Sequence, residues 1–346
     1  ETGRPEGRPF LTEKILYVPF QKGLLTIDPR TGKRDDFWQW PRTEKDVPGK
    51  PGNMVITSEQ VVVVNDDEVA GYSRWETARD NRLAAIKRSP AAPAPYLALA
   101  EVSFRTAHYD MAEENMSKSV HMATGDSSGA AAADGADTDI LSRLYQVNLN
   151  FAEQLLGKTD ATLQARARFY YDQCKLAARG PEQQAEWRLA MSDLSLAQNK
   201  PAEAATLFND VLTDAALRNS PYHKGDAMAR AGVVAEMRFR KLIAKEGPQV
   251  YQRFADEATA QLGSAEDDIP ALQKIIGAYP NSDAALQAAT KLADLCRKKG
   301  DWMGARKALL WLYPRAQGNA KGIVTAGLAE ANLALKKYVA AIGWAE

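Results

Sequence analysis

The pattern of hydrophobic and polar positions changes once along the chain, near Ser73. Before it, short runs rich in β-branched and aromatic residues, such as KILYVPF and QVVVVN, alternate with turn signals such as Thr31-Gly32 and Asn65-Asp66. Such runs are typical of small antiparallel hairpins. After it, apolar residues recur three and four positions apart, the period of an amphipathic helix. The sequence therefore predicts a mainly α protein, with a small antiparallel β segment over residues 1–73 and a helical domain over residues 74–346.

Proline and capping residues divide the helical region into separate elements. Pro181 and Pro201 each predict a helix start, Gly247-Pro248 predicts a break, and the stretch Pro280-Asn281-Ser282-Asp283 predicts an N-cap before the run AALQAATKLADLCRK. The stretch ATGDSSGAAAADGADTD, residues 123–139, is small, polar and rich in glycine. Such a composition favours a flexible insert between helices.

A spacing of small residues repeats within this region. Ala293 and Ala305 are twelve positions apart, with the turn Gly300-Asp301 and then Trp302 between them. Leu292 and Leu309 are placed to fill the space around the small pair. The same offset separates Ala329 from Ala341 and Ala100 from Ala112. Ser192 and Ala204 also have this offset, within a stretch that matches the rest of the pattern more loosely. The pattern predicts helical hairpins whose two helices approach closely.

These hairpins resemble the tetratricopeptide-repeat (TPR) family. Ala293 and Ala329 are 36 positions apart, close to the repeat length of about 34 residues in that family. The resemblance implies an α-solenoid, in which successive hairpins stack and present a concave face. A generic α-helical bundle is the alternative, because any alanine-rich hairpin imitates one such signature.

The β segment resembles a blade of the pyrroloquinoline-quinone (PQQ)-type β-propeller. The stretch LYVPFQKGLLTIDPRTGKRDDFWQW carries the strand-ending Asp28, the turn Thr31-Gly32-Lys33 and, about two residues later than in that family, Trp38 and Trp40. The resemblance implies partial propeller blades, a junction within a longer protein, and a periplasmic or envelope location. Alternatively, a small sheet simply caps the first helices.

Charge and hydropathy exclude some classes of partner. Lys and Arg total 44, and Asp and Glu also total 44, so nothing predicts nucleic acid as a partner. Apolar runs such as Val61–Val64 are too short to span a bilayer, and no membrane insertion is expected. Cys174 and Cys296 form no CxxC motif. We interpret both as buried, inert thiols, although the sequence leaves open whether they pair.

Candidate chemistry is sparse. The three histidines, His108, His121 and His223, accompany no metal-binding or nucleophile motif, and we interpret them as surface or turn residues. The run Asn65–Glu68 lacks the glycine and the downstream glutamate of a calcium loop and predicts a hairpin turn. We therefore expect no enzyme activity, no cofactor and no metal.

The remaining hypothesis is partner binding on the first helices of the hairpins. The TPR register places on that face seven polar residues of mixed charge: Glu101, Arg105, Asp193, Asp294, Arg297, Lys298 and Glu330. The sequence thus favours a scaffold that binds segments of partner proteins. Two alternatives rest on the family resemblances: an accessory factor in outer-membrane protein assembly, and a TPR extension of a quinoprotein dehydrogenase.

Overall fold

A computed structural model describes residues 3–40, 49–57, 60–125, 138–158, 160–224 and 227–345. The chain forms two compact units, Glu1–Met122 and Ala123–Glu346. The secondary structure is mainly α-helical, with a small antiparallel β segment at the start. The change from strand to helix lies between Ser73 and Trp75, at the position that the hydrophobic pattern predicts. Most of the predicted flexible insert, at residues 126–137, lies outside the described residues.

Two antiparallel sheets form the start of the first unit. The first sheet has the strand order β1 (Phe10–Leu11), β2 (Leu16–Phe20), β3 (Gly23–Ile27) and β4 (Arg34–Gln39). The second has the order β5 (Asn53–Ile56), β6 (Gln60–Val64) and β7 (Val69–Ser73). The turn between β6 and β7 is an Asx turn, since Asn65 Oδ1 accepts from Asp67 N and Glu68 N at 3.0 Å. The predicted hairpin turn is therefore confirmed.

A small core joins the two sheets. Leu24, Trp40, Met54 and Val63 are buried together. Trp40 Nε1 also donates to the carbonyl oxygen of Phe20 at 2.7 Å, which satisfies the polar atom of a buried indole. Trp38 remains 39% exposed, so only one of the two predicted packing tryptophans lies in this core.

Three helices complete the first unit and lead into the second. They are α1 (Trp75–Arg88), α2 (Pro93–Arg105) and α3 (Tyr109–Thr124). The helix α2 begins with Pro93 at its first turn, where a missing N–H costs nothing. Ser119 Oγ donates to the Pro93 carbonyl oxygen at 2.8 Å and ties α3 to the start of α2.

Over its described residues, the second unit is helical apart from one short hairpin. Its helices are α4 (Thr138–Leu156), α5 (Ala161–Ala177), α6 (Gly180–Ala197), α7 (Pro201–Thr213), α8 (Ala215–Asn219), α9 (Ala231–Glu246), α10 (Gln252–Ala265), α11 (Ile269–Ala278), α12 (Asp283–Lys298), α13 (Trp302–Leu312), α14 (Gly318–Ala334) and α15 (Tyr338–Ala345). The hairpin pairs β8 (Pro221–Lys224) with β9 (Ala227–Arg230), and the helical pattern of the sequence does not predict it. Most helices pack against those adjacent in sequence, while α11 also reaches back to α7. This arrangement is compatible with an α-solenoid.

Four helix-to-helix turns share one backbone conformation. In each, the second residue after the end of the first helix has a positive φ. The N–H that follows it donates to the carbonyl five residues earlier, as Asp301 N does to Cys296 O at 2.8 Å. This is the Schellman motif that closes many helices. The positive-φ residues are Ala107, Asn199, Gly300 and Lys336. The next helix begins two residues later in every case, at Tyr109, Pro201, Trp302 and Tyr338.

The predicted small positions flank these turns. Ala293, Ala305, Ala100, Ala112, Ser192 and Ala204 are all almost fully buried, and Ala341 is 8% exposed. Ala329 is only half-buried, which differs from the predicted packing role. The helix α14 instead comes close to α13 at Gly327, where an added Cβ would lie 3.1 Å from Leu309 Cδ1.

Alanine substitutions at two glycines, one in a shared turn and one inside a helix, are expected to change the free energy of unfolding in opposite directions. Gly300 has a φ of 74° and open space around it, so Gly300→Ala is expected to lower the free energy of unfolding by about 1 kcal/mol, from backbone strain alone. Gly322 lies inside α14, also in open space, and Gly322→Ala should raise that free energy by about 1 kcal/mol. Urea denaturation of both variants checks this, and equal shifts of the same sign would disprove the role of the left-handed turn.

Candidate functional site

The helix α12 carries three of the predicted binding residues and is fixed firmly at its start. Ser282 Oγ accepts from Ala285 N at 3.1 Å, which confirms the predicted N-cap. One side of α12 is buried and is mostly alanine, with Leu292 and Cys296 among its few larger members. Because alanine lets neighbouring helices approach closely, α12 packs between α11 and α13 and presents only its opposite side to solvent.

A groove of about 480 Å³ runs along that exposed side. Leu286 and Leu295 give it an apolar component, and Asp267 borders it from the segment between α10 and α11. Its polar lining from α12 comprises Gln287, Thr290, Lys291, Asp294 and Lys298. Gln287, Lys291, Asp294 and Lys298 follow one another at intervals of three or four positions, with Thr290 beside Lys291, so they form one face of the helix. We call this surface the α12 groove.

The charges around the α12 groove are partly paired with each other. Arg297 Nη2 lies 2.7 Å from Glu330 Oε2 of α14, and Arg297 Nη1 lies 3.5 Å from Asp294 Oδ1. Lys291 Nζ lies 3.2 Å from Asp267 Oδ1. Within the described part of the chain, Lys298 has no ion-pair partner. The structure therefore brings together four of the predicted residues, and it leaves one of their charges available to a ligand.

Asp193 of α6 is held by an internal contact. Arg238 of α9 places Nη1 3.0 Å from Asp193 Oδ2 and donates to the Leu189 carbonyl at 3.0 Å. Its Nη2 donates to Tyr222 Oη at 3.1 Å. Because the Arg238 side chain is only 15% exposed, this network joins α6, α9 and β8. A partner that reached Asp193 would have to compete with Arg238.

Glu101 and Arg105 lie in the first unit, on α2. Both line an open trough of about 1040 Å³ that also contacts β4, β7 and α1. Trp38, Tyr72 and Trp75 are its aromatic lining. The predicted residues thus fall into two separate surfaces, and Asp193 belongs to neither.

Sequence reasoning missed several residues of both surfaces. Gln287, Thr290 and Lys291 were not singled out, although their spacing from Asp294 and Lys298 carries the helical period that would have found them. Trp75, Arg74 and Arg82 of the trough gave no such signal. Arg74 and Trp75 directly follow β7 in the chain, but the trough forms only when α1 and α2 fold beside the strand.

Tyr145 of α4 and Glu186 of α6 form a polar contact between their two helices. Tyr145 Oη donates to Glu186 Oε2 at 2.8 Å and to the Gln183 carbonyl at 3.0 Å. Burial raises the pKa of the Glu186 carboxyl, and burial likewise raises the pKa of the Tyr145 hydroxyl. A single carboxyl bonded to a tyrosine in a helix interface supplies no nucleophile with its base, so we assign this pair to packing.

Cysteine and histidine provide little chemistry. Cys174 and Cys296 are free and buried, and burial raises the pKa of both thiols. The prediction of buried thiols is confirmed. All three histidines are exposed. Over the described ranges of the chain, no group of three or more His, Cys, Asp or Glu side chains is arranged to hold a metal ion.

No family model matches the chain, and no curated protein matches it. Among the helices that the structure describes, none combines the length and the apolar character needed to cross a bilayer.

Proposed function

We propose that this protein is a non-enzymatic scaffold that binds segments of partner proteins through the α12 groove. The observation that carries the proposal is the α12 groove itself, a concave surface of mixed charge on the first helix of a hairpin. Its apolar component, Leu286 and Leu295, lies among polar side chains that can orient a ligand. Protein surfaces that bind helical or extended segments commonly combine these two features.

The repeated turns support a stacked scaffold of the TPR type. Four turns have the same conformation, with small residues at the same offsets on both sides. Identical turns set each hairpin in a similar geometry, which is what a solenoid of repeats requires. We further propose that the two sheets of the first unit are related to PQQ-type propeller blades. The tight apposition of Leu24 and Trp40 with Met54 and Val63 supports this relation.

The charges of the α12 groove indicate what the partner carries. Lys298 is available, while Asp294 and Arg297 share their charges with neighbours. A partner segment with an acidic side chain near Lys298 and apolar side chains near Leu286 and Leu295 would fit. Since exposed charges contribute little each, the apolar contacts supply most of the affinity and the charge sets the orientation.

A charge reversal at Lys298 tests the proposal. The wild-type chain is used to capture partners from an extract of the cells that produce it, and each captured protein is then purified and titrated. Lys298→Glu is expected to weaken binding by about five- to tenfold, since it sets like charges against each other. Lys307→Glu makes the same charge change at an exposed site on α13 and should leave the affinity unchanged.

Two outcomes would reject the α12 groove as the binding surface. One is equal affinity of every captured protein for the wild type and Lys298→Glu. The other is an equal loss of affinity in Lys298→Glu and Lys307→Glu, which would indicate only a general effect of charge on binding. A substitution at Arg297 is less suitable, because it would also break the contact with Glu330 between α12 and α14.

A further inference from the structure

The strand β7 lies at the edge of its sheet and has a regular, exposed backbone. It pairs with β6 from Val64↔Val69 to Gln60↔Ser73 without a register shift. Among the described residues, no strand pairs with its other edge. Val69, Gly71 and Ser73 are all exposed. An edge of this kind is a template for a further strand.

The hydrogen-bond pattern shows which backbone groups are available. Asn65 N donates to the Glu68 carbonyl at 3.1 Å, so this pair is a hydrogen-bonded pair of the antiparallel ladder. Such pairs alternate with non-bonded ones. The alternation assigns Ala70 and Tyr72 to bonds with β6, and directs the N–H and C=O groups of Val69, Gly71 and Ser73 away from it.

The edge of β7 lacks the features that usually prevent strand addition. The strand β4, at the edge of the other sheet, carries the exposed charges Arg34, Asp35 and Asp36. The sequence of β7, VAGYS, has no charge and no proline. Charged residues and proline are common protections of exposed edges, and β7 has neither.

The trough follows this strand and adds recognition chemistry to it. Its lining includes the consecutive run Ala70–Ser73. Trp38 and Tyr72 contact each other edge to face at 5.3 Å, and Trp75 lines the trough from α1. Its charged lining comprises Arg74, Arg82 and Arg105 together with Glu68 and Glu101, so basic groups outnumber acidic ones. Arg74 and Arg82 have no ion-pair partner within the described chain. Exposed guanidinium groups beside aromatic rings suit carboxylates that flank an apolar or aromatic side chain.

We propose that the free edge of β7 binds an extended acidic peptide segment of a partner protein. The segment adds a fourth strand to the sheet, and the outward backbone groups of Val69, Gly71 and Ser73 pair with it. Its side chains on one face enter the trough, where apolar or aromatic groups meet Trp38 and Trp75 and acidic groups meet Arg74 and Arg82. This site is separate from the α12 groove and does not depend on the function proposed for it.

Gly71 allows a backbone-specific test. A Cβ added there meets no atom within 4 Å, and its φ is not in the left-handed region. Gly71→Ala keeps the outward N–H, whereas Gly71→Pro removes it and places a ring against any added strand. Proline is tolerated in an edge strand where its nitrogen faces solvent, so both variants should keep the ladder with β6.

The experiment selects short random peptides displayed on phage against the wild-type protein. The most enriched sequences are then synthesised with blocked termini. The enriched sequences are expected to be acidic. They should bind the wild type and Gly71→Ala with similar affinity, and their affinity for Gly71→Pro should be lower by at least about tenfold. Arg82→Glu should weaken binding several-fold, and Lys298→Glu should not. Bound peptide should also slow amide hydrogen exchange in the fragment that spans β7.

Several results would overturn the proposal. The first is a selection that enriches no peptide. The second is a set of peptides that bind Gly71→Pro and Arg82→Glu as tightly as they bind the wild type. The third is amide hydrogen exchange in β7 that bound peptide does not change. If Gly71→Pro fails to fold, as judged by circular dichroism, Arg82→Glu and the exchange measurement decide the question. Tighter binding of a fluorescent oligothymidylate than of any selected peptide would assign the trough to nucleic acid instead.

Discussion

Phe239→Ala is expected to lower the free energy of unfolding of the second unit by about 3–5 kcal/mol. Phe239 is fully buried in α9. Its ring lies 4.8 Å from Tyr251 and 5.5 Å from Phe254, both edge to face, and 5.7 Å from Phe208. Truncation would leave a cavity where α7, α9 and α10 meet, and the rigid backbones of three helices cannot collapse to fill it.

Urea denaturation followed by circular dichroism measures this loss. Met237→Ala is the matched control, because Met237 lies two positions earlier on the same helix and is 49% exposed. It should change the free energy of unfolding by less than about 1 kcal/mol. A comparable effect of the two substitutions would show that the aromatic cluster does not hold these helices together.

Ala305→Leu is expected to destabilise the second unit by about 1–3 kcal/mol through overpacking. Ala305 is fully buried at the start of α13, close to Ala308 and Leu309 in the same core. Leucine and alanine have similar helix propensities, so the expected loss comes from steric crowding between helices and not from the backbone.

The melting temperatures of Ala305→Leu and a surface control test this packing role. Ala326 is exposed on α14, and Ala326→Leu introduces the same side chain without a neighbour to displace. A melting temperature of Ala305→Leu equal to that of the wild type would contradict the view that the small positions determine how closely the helices pack. Six buried small positions lie at three of the shared turns, so the same packing role is expected at each of these turns.

Local sequence signals predicted the helices of this chain well. The cap at Ser282, the proline starts at Pro181 and Pro201, and the turn at Asn65–Glu68 each depend on residues within one turn of one another. Such features need no tertiary contact, so the sequence alone identifies them. The fold class followed from them, and it is confirmed by the structure.

Features that depend on distant residues were missed. The hairpin of β8 and β9 has few β-branched residues, and it is tied down where Tyr222 accepts from Arg238, sixteen positions away. Asp193 looked like a binding residue because nothing in the sequence shows that Arg238, 45 positions later, holds it. The trough was not predicted for the same reason, since it combines a strand edge with the faces of two helices. The TPR and propeller relationships stay predictions.

The buried thiols give the chain two built-in reporters of local opening. Cys174 lies in α5 and Cys296 in α12, and neither thiol can meet a labelling reagent until its helix separates from its neighbours. A chain in which helices pack mainly on adjacent ones can open at one place while another stays closed. The ratio of the two alkylation rates, measured as denaturant is increased, would therefore show how far cooperativity extends between α5 and α12. No introduced cysteine or other substitution is needed for that comparison.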